Sequence, residues 1–197
     1  MDLNELFSIP FWDSEYPDFD NSQKQFTDAL RKFREDNPSP TDRGYQSPKA
    51  LHKVEGLAPV CEYASQLAQK AVYDLDMFEA DTPVVAGWAF YQDSISARGL
   101  DLVYRHTFTA IFLAEADDGQ SPVVEIANPN SLKDWVGNAL VAEKNAFNAS
   151  SIEIDLSPGQ MIMIPSYLDY RIKMAQAFED PLSQSAAIFH VLALPKG

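Results

Sequence analysis

The sequence predicts an α+β fold that is mainly β, a sandwich or barrel of short strands with N-terminal helices packed outside. Two observations carry this. Apolar residues recur at helical spacing in two segments before residue 80. From about residue 83 they change to short alternating or continuous apolar runs broken by turns. Helices first and strands afterwards is the order of an α+β domain. The chain has 197 residues, enough for one domain with a real core. We divide it into an extended arm over 1–20, a helical part over 21–80 and a β core over 81–197.

The arm mixes Phe7, Phe11, Trp12, Tyr16 and Phe19 with Pro10 and Pro17, which suits chain laid over a surface, its own or a partner's. Phe26, Ala29, Leu30 and Phe33 stand at i, i+3, i+4 and i+7 and predict a helix over 22–35. Ser22 and Gln25 have the spacing of a capping box. Residues 37–50, rich in Pro, Asp and Ser, read as a loop. Leu57, Cys61, Ala64, Ala68, Ala71, Val72 and Leu75 predict a second helix over 57–77. Strands are expected over 84–92, 106–115, 122–127, 151–156, 160–165, 170–175 and 185–194. Turns such as Ser157-Pro-Gly separate them. Leu132, Trp135, Val136, Ala139 and Leu140 read as a helical insert over 131–146. Because strand side chains alternate, the interior should be lined by Met161, Met163, Ile188 and His190, or by their alternates Ile162, Ile164, Phe189 and Val191.

Composition excludes several functions. The net charge of −14 repels phosphate backbones and argues against nucleic-acid binding. It suits a basic partner surface or plain solubility. No apolar run approaches the ~18 residues of a membrane span, and the acidic start Met1-Asp-Leu-Asn-Glu-Leu6 has no basic n-region. The single cysteine, Cys61, excludes an internal disulfide and fits a reducing compartment, hence a cytoplasmic protein. It falls on an apolar helical stripe and reads as core. Asn148-Ala-Ser150 matches a glycosylation sequon by chance. There is no Gly-rich phosphate loop, Cys-x-x-Cys or Gly-x-Ser-x-Gly.

Several segments resemble, in order along nearly the whole chain, the Fe(II)/2-oxoglutarate-dependent oxygenase family of bacteria and phages. They are Leu6-Phe-Ser-Ile-Pro-Phe-Trp12, Gly44-Tyr-Gln-Ser-Pro48, the strand beginning Gly87-Trp88, Thr109-Ala-Ile-Phe-Leu113, Asn128-Pro129, and Pro158 through Tyr170. The resemblance implies a double-stranded β-helix, the cupin-like jelly roll. It also implies an iron held by two histidines and a carboxylate, or three histidines, two of them at i and i+2. Strand alternation puts that pair on one face.

No such pair is present. His52 has Ala50 and Val54 two residues away, His106 has Tyr104 and Phe108, and His190 has Ile188 and Leu192. Carried across residue by residue, the paired ligand positions fall at Asp101 and Val103, the distal histidine at Tyr170, and the arginine for the 2-oxoglutarate carboxylate near Gln184. The family site thus reads as degenerate, with no catalytic residue. A fallback metal set is Asp101, His106 and His190. On a regular strand Asp101 and His106, five apart, would face opposite ways. His106 beside Arg105 reads as a strand-edge residue, and His190 as a hydrogen-bonded histidine of the barrel wall. Arg171 and Lys173 share a face that reads as solvated.

The expectation is therefore a non-catalytic oxygenase-like jelly roll without metal or cofactor, a structural or binding module such as a phage virion or assembly component. It would work through protein partners or self-assembly, in the host cytoplasm or the virion. The alternatives are an active Fe(II)/2-oxoglutarate-dependent hydroxylase with displaced ligands, and a metal-free cupin-like small-molecule binder.

Overall fold

The computed structural model describes residues 10–38, 45–46, 50–76, 84–91, 106–116, 121–129, 149–173 and 185–193. The expected insert 131–146 and the positions Asp101, Val103 and Gln184 lie outside these.

Nine strands and two helices are described. The strands are β1 (Trp12–Glu15), β2 (Tyr45–Gln46), β3 (Val84–Tyr91), β4 (Phe108–Glu115), β5 (Val123–Ala127), β6 (Ser151–Asp155), β7 (Gln160–Pro165), β8 (Tyr170–Lys173) and β9 (Ser185–Leu192). The helices are α1 (Phe19–Asp36) and α2 (Ala58–Asp74). One sheet has the order β1-β7-β4-β9-β3-β2 and a smaller one the order β6-β5-β8, all antiparallel. From β6 onward the strands alternate between the sheets, β6 and β8 in the small one and β7 and β9 in the large one. Each expected strand is present to within two residues. No helix among the described residues is long and apolar enough to cross a membrane.

The central strand β4 is buried on both faces, so its sequence is continuously apolar. One face of the large sheet presents Phe108, Ala110, Phe112, Met161, Met163, Ala187, Phe189 and Val191 to the helices. The helices answer with Phe26 and Leu30 from α1 and Val60, Ala64, Leu67, Ala68 and Ala71 from α2. The other face presents Ile111, Leu113, Ile162, Ile164, Ala186 and Ile188 to the small sheet's Val124, Ile126, Tyr170 and Ile172. The barrel lining is therefore Ile162 and Ile164 with Ile188 and His190. Neither expected set is right as a set. Both strands pair with β4 in a register that puts Ile164 and His190 opposite Thr109, so even-numbered residues of both face inward.

The described part of the arm, from Pro10 on, packs on its own domain. Trp12, Tyr16 and Phe19 join the helix-side core, and β1 extends the large sheet by pairing with β7. The Trp12 indole N–H donates to Asp74 at 3.1 Å and the Tyr63 hydroxyl donates to the Glu15 carbonyl at 2.8 Å, tying arm to α2. Gly159 closes the turn before β7 at φ +85. A Cβ there would lie 2.6 Å from the Phe19 ring, so this turn needs glycine both for its backbone and for the ring above it. The helix α1 starts at Phe19, a turn earlier than expected. Ser22 is therefore inside the helix and caps nothing, and Asp18, in the left-handed region, holds the Asn21 side chain instead.

Candidate functional site

Inward-facing polar side chains are few. In β9 the residues Ala186, Ile188 and His190 face the interior, and in β4 Thr109, Ile111 and Leu113 do. Thr109 and His190 are direct cross-strand partners, and both are buried. They stand at the end of the barrel where β4 begins and β9 finishes. Among the described residues the lining there also includes Ile111, Ile164 and Ile188.

His106 precedes β4 by two residues, and its backbone is fixed by two neighbours. Thr107 N–H donates to the Val191 carbonyl at 2.8 Å. Its hydroxyl donates to the Ala193 carbonyl at 3.2 Å and accepts from Ala193 N–H at 3.1 Å. From the β7–β8 turn, Ser166 N–H donates to the Thr107 carbonyl at 3.1 Å and the Ser166 hydroxyl to the His106 carbonyl at 2.6 Å. His106 thus lies half-buried at the edge of β4, with its backbone held in place. Its Nε2 stands 2.5 Å from His190 Nδ1 and 3.4 Å from Thr109 Oγ1. The two rings are nearly perpendicular, at 85°, with centroids 3.8 Å apart.

Two of the three fallback metal candidates are thus brought together. The search for histidine at i and i+2 missed them because they meet across a strand pair, 84 positions apart. The signal available was weaker: two of three histidines fall in or beside apolar strands. Asp101, the third candidate, is outside the described residues.

Tyr170, the position the resemblance gives to the distal histidine, opens β8 four residues after Ser166. It is buried among Ile126, Leu168 and Ile172. Burial pushes its phenol well above the ordinary range, so it stays protonated. Arg171 and Lys173 point to the outer face, where both reach Glu125 and Lys173 also reaches Glu153. They do not reach the barrel. Cys61 is packed on the helical side, and burial pushes its thiol up to about 11, out of the nucleophile range.

Imidazole nitrogens suit Fe, Ni, Cu and Zn, and two of them converge in an apolar end of the barrel. They fit as part of a metal's ligand set. Among the described residues no group of three or more His, Cys, Asp or Glu could hold a metal, and no Lys or Arg is buried to face a carboxylate.

No known family profile matches the chain, and no curated protein does. Solved structures do match its fold. A prolyl-4-hydroxylase from Pseudomonas putida superposes over 96% of this chain and 95% of its own, with TM-score 0.54 and 9% identity. HygX from Streptomyces hygroscopicus, solved with nickel and 2-oxoglutarate bound, covers 93% of this chain and 82% of its own, with TM-score 0.57 and 10% identity. SnoK, a non-heme α-ketoglutarate-dependent carbocyclase from nogalamycin biosynthesis, covers 94% and 79%, with TM-score 0.60 and 10% identity. The chain therefore has the double-stranded β-helix fold of 2-oxoglutarate-dependent oxygenases. The expectation of a non-catalytic structural or virion module is corrected by these matches, which are enzymes. So is the expectation of no cofactor, since one of them carries metal and 2-oxoglutarate.

Proposed function

We propose that this chain is an Fe(II)/2-oxoglutarate-dependent oxygenase working at the barrel end that holds His106 and His190. The observation that carries the reading is the convergence of two imidazole nitrogens and a threonine hydroxyl beside a barrel lining that is apolar among the described residues. A pocket with an apolar wall and a few convergent polar groups is the usual form of a small-molecule site. The enzymes that share the fold support the class.

In this reading His106 and His190 are metal-binding side chains. When bound there, Fe(II) supplies the activation of O2, with 2-oxoglutarate as the oxidised co-substrate. The protein's own contribution is placement and exclusion. Ser166 and Thr107 fix the backbone that carries His106. Ile111, Ile164 and Ile188 keep water away, which strengthens each polar contact inside. Tyr170, protonated at neutral pH, is a hydrogen-bond donor on the side of the small sheet.

The test is turnover of 2-oxoglutarate. Metal-stripped protein reloaded with Fe(II) and ascorbate should convert 2-oxoglutarate to succinate slowly, even without a prime substrate. Conversion should stop with chelator. Succinate formation no faster than Fe(II) and ascorbate alone would overturn the proposal.

A further inference from the structure

Five large apolar side chains are exposed among the described residues. Tyr73 and Leu75 are at the end of α2, while Phe11, Ile152 and Tyr167 share one end of the barrel. β1 runs antiparallel to β7, so Phe11, just before β1, lies where β7 finishes. β6 turns directly into β7, which puts Ile152, near the start of β6, at the same end. Tyr167 is in the turn from β7 to β8. This is also the end that holds His106, Thr109 and His190. We propose, building on the oxygenase reading, that Phe11, Ile152 and Tyr167 form an apolar entry rim that receives an uncharged, ring-bearing organic molecule as the substrate.

Each of the three is aimed by its backbone. Trp12 packs edge-on against Phe108 on the helix side of the large sheet, so alternation gives Phe11 the barrel side. Ile152 is the cross-strand partner of Ile126 and faces the same way. Ile126 is buried and Ile152 is 45% exposed, so the apolar lining continues to the surface there. Tyr167 is 66% exposed between two anchored neighbours. Ser166 is bonded to His106 and Thr107, and Leu168 is buried with its N–H on the Pro165 carbonyl. Leu168 fills the core, and the Tyr167 ring is held in solvent.

Single exposed apolar residues are ordinary, but several at the open end of an apolar barrel mark a binding surface. Aromatic rings favour other rings, edge-on or offset, which suits Phe11 and Tyr167 to a ring-bearing ligand. Charge argues for an uncharged one. Arg171 and Lys173 of β8 are turned to the outer face, where they reach Glu125. Asp169 is exposed on the same turn as Tyr167, and the chain carries −14, so an anion is repelled. Any charge laid against the three apolar side chains loses solvation.

The probe is N-phenyl-1-naphthylamine, which is neutral. Its counterpart is 8-anilino-1-naphthalenesulfonate, the same ring skeleton with an anionic group. Both are titrated by fluorescence into full-length protein without metal or 2-oxoglutarate. One neutral probe per chain should bind, at least about 10-fold more tightly than the sulfonate. Phe11→Ser, Ile152→Ser and Tyr167→Ser, checked for folding by circular dichroism, should each weaken binding by roughly 10-fold, the scale of one lost apolar contact. Tyr167→Phe, which keeps the ring, and Tyr73→Ser, at the end of α2, should bind as the parent does. An absence of saturable binding overturns the rim, as does unchanged binding in the three serine variants or a sulfonate that binds as tightly. Self-association of the parent that the serine variants abolish overturns it too, by giving the rim to a second copy of the chain. Probe binding at the rim of a protein that does not turn over 2-oxoglutarate leaves the rim standing and removes the oxygenase reading. Turnover without binding at the rim removes the rim and leaves that reading in place.

Discussion

Thr109 of β4 lies directly opposite His190 of β9, and this single register turns both side chains into the barrel. The same register sets the Thr109 hydroxyl 3.4 Å from His106 Nε2. Thr109→Val keeps the shape and removes the hydroxyl. Co(II) affinity should fall by roughly 10-fold, as it does when a supporting group is lost. The melting temperature should move by only a few degrees. A fall in stability with no change in affinity would show that the hydroxyl serves packing alone.

Ser166 should act through His106. Its hydroxyl donates to the His106 carbonyl at 2.6 Å, across 60 positions of sequence. Ser166→Ala should cost about 1 kcal/mol in urea unfolding, the usual net worth of such a bond. It should weaken metal binding as well, and Ser166→Thr should restore both. If metal affinity is unchanged in the alanine variant, the turn does not position the histidine.

Gly159 should be the least replaceable residue of the turn into β7. Its φ of +85 and the Phe19 ring 2.6 Å from an added Cβ act together. Gly159→Ala should destabilise by about 1–3 kcal/mol, measured by chemical denaturation. Stability equal to the parent would mean that arm and turn separate freely.

Acid should weaken the outer face of the small sheet. The Ser151 hydroxyl, then Lys173 and Arg171, hold the Glu125 carboxyl below the usual carboxylate range. A depressed carboxylate contributes stability above its unfolded pKa of about 4.3, and this is lost as pH falls through the folded value. Between pH 7 and pH 3 the parent should lose more stability than Glu125→Gln, by a small margin because the pairs are partly exposed. Parallel pH profiles for the two proteins would rule this out.

Cys61 should be inert in the native state. With burial pushing its thiol up to about 11, little thiolate exists at pH 8. A disulfide reagent should label it at the rate of unfolding, slowed further by stabilising salts. Labelling within seconds of mixing would show that α2 opens locally.

The sequence by itself determined the order and nearly the extent of the elements. Leu30 four residues after Phe26 makes α1 amphipathic, and the continuous apolar run from Phe108 to Ala114 marks a strand buried on both faces. It also placed Tyr170 at the start of a strand that faces the barrel. These are local properties, set by spacing along one segment. The tertiary structure decided what depends on two segments at once. Alternation says that Ile162 and Ile164 share a face, but only the register with β4 makes that face the interior. Nothing local made Ser22 a poor cap; in the fold α1 starts earlier, at Phe19, and Ser22 lies inside it. His106 and His190 carry no motif, because the ladder that joins them pairs residues far apart in sequence. Their meeting depends on cross-strand register and on the bonds of Ser166 and Thr107, which no spacing rule along a single strand contains.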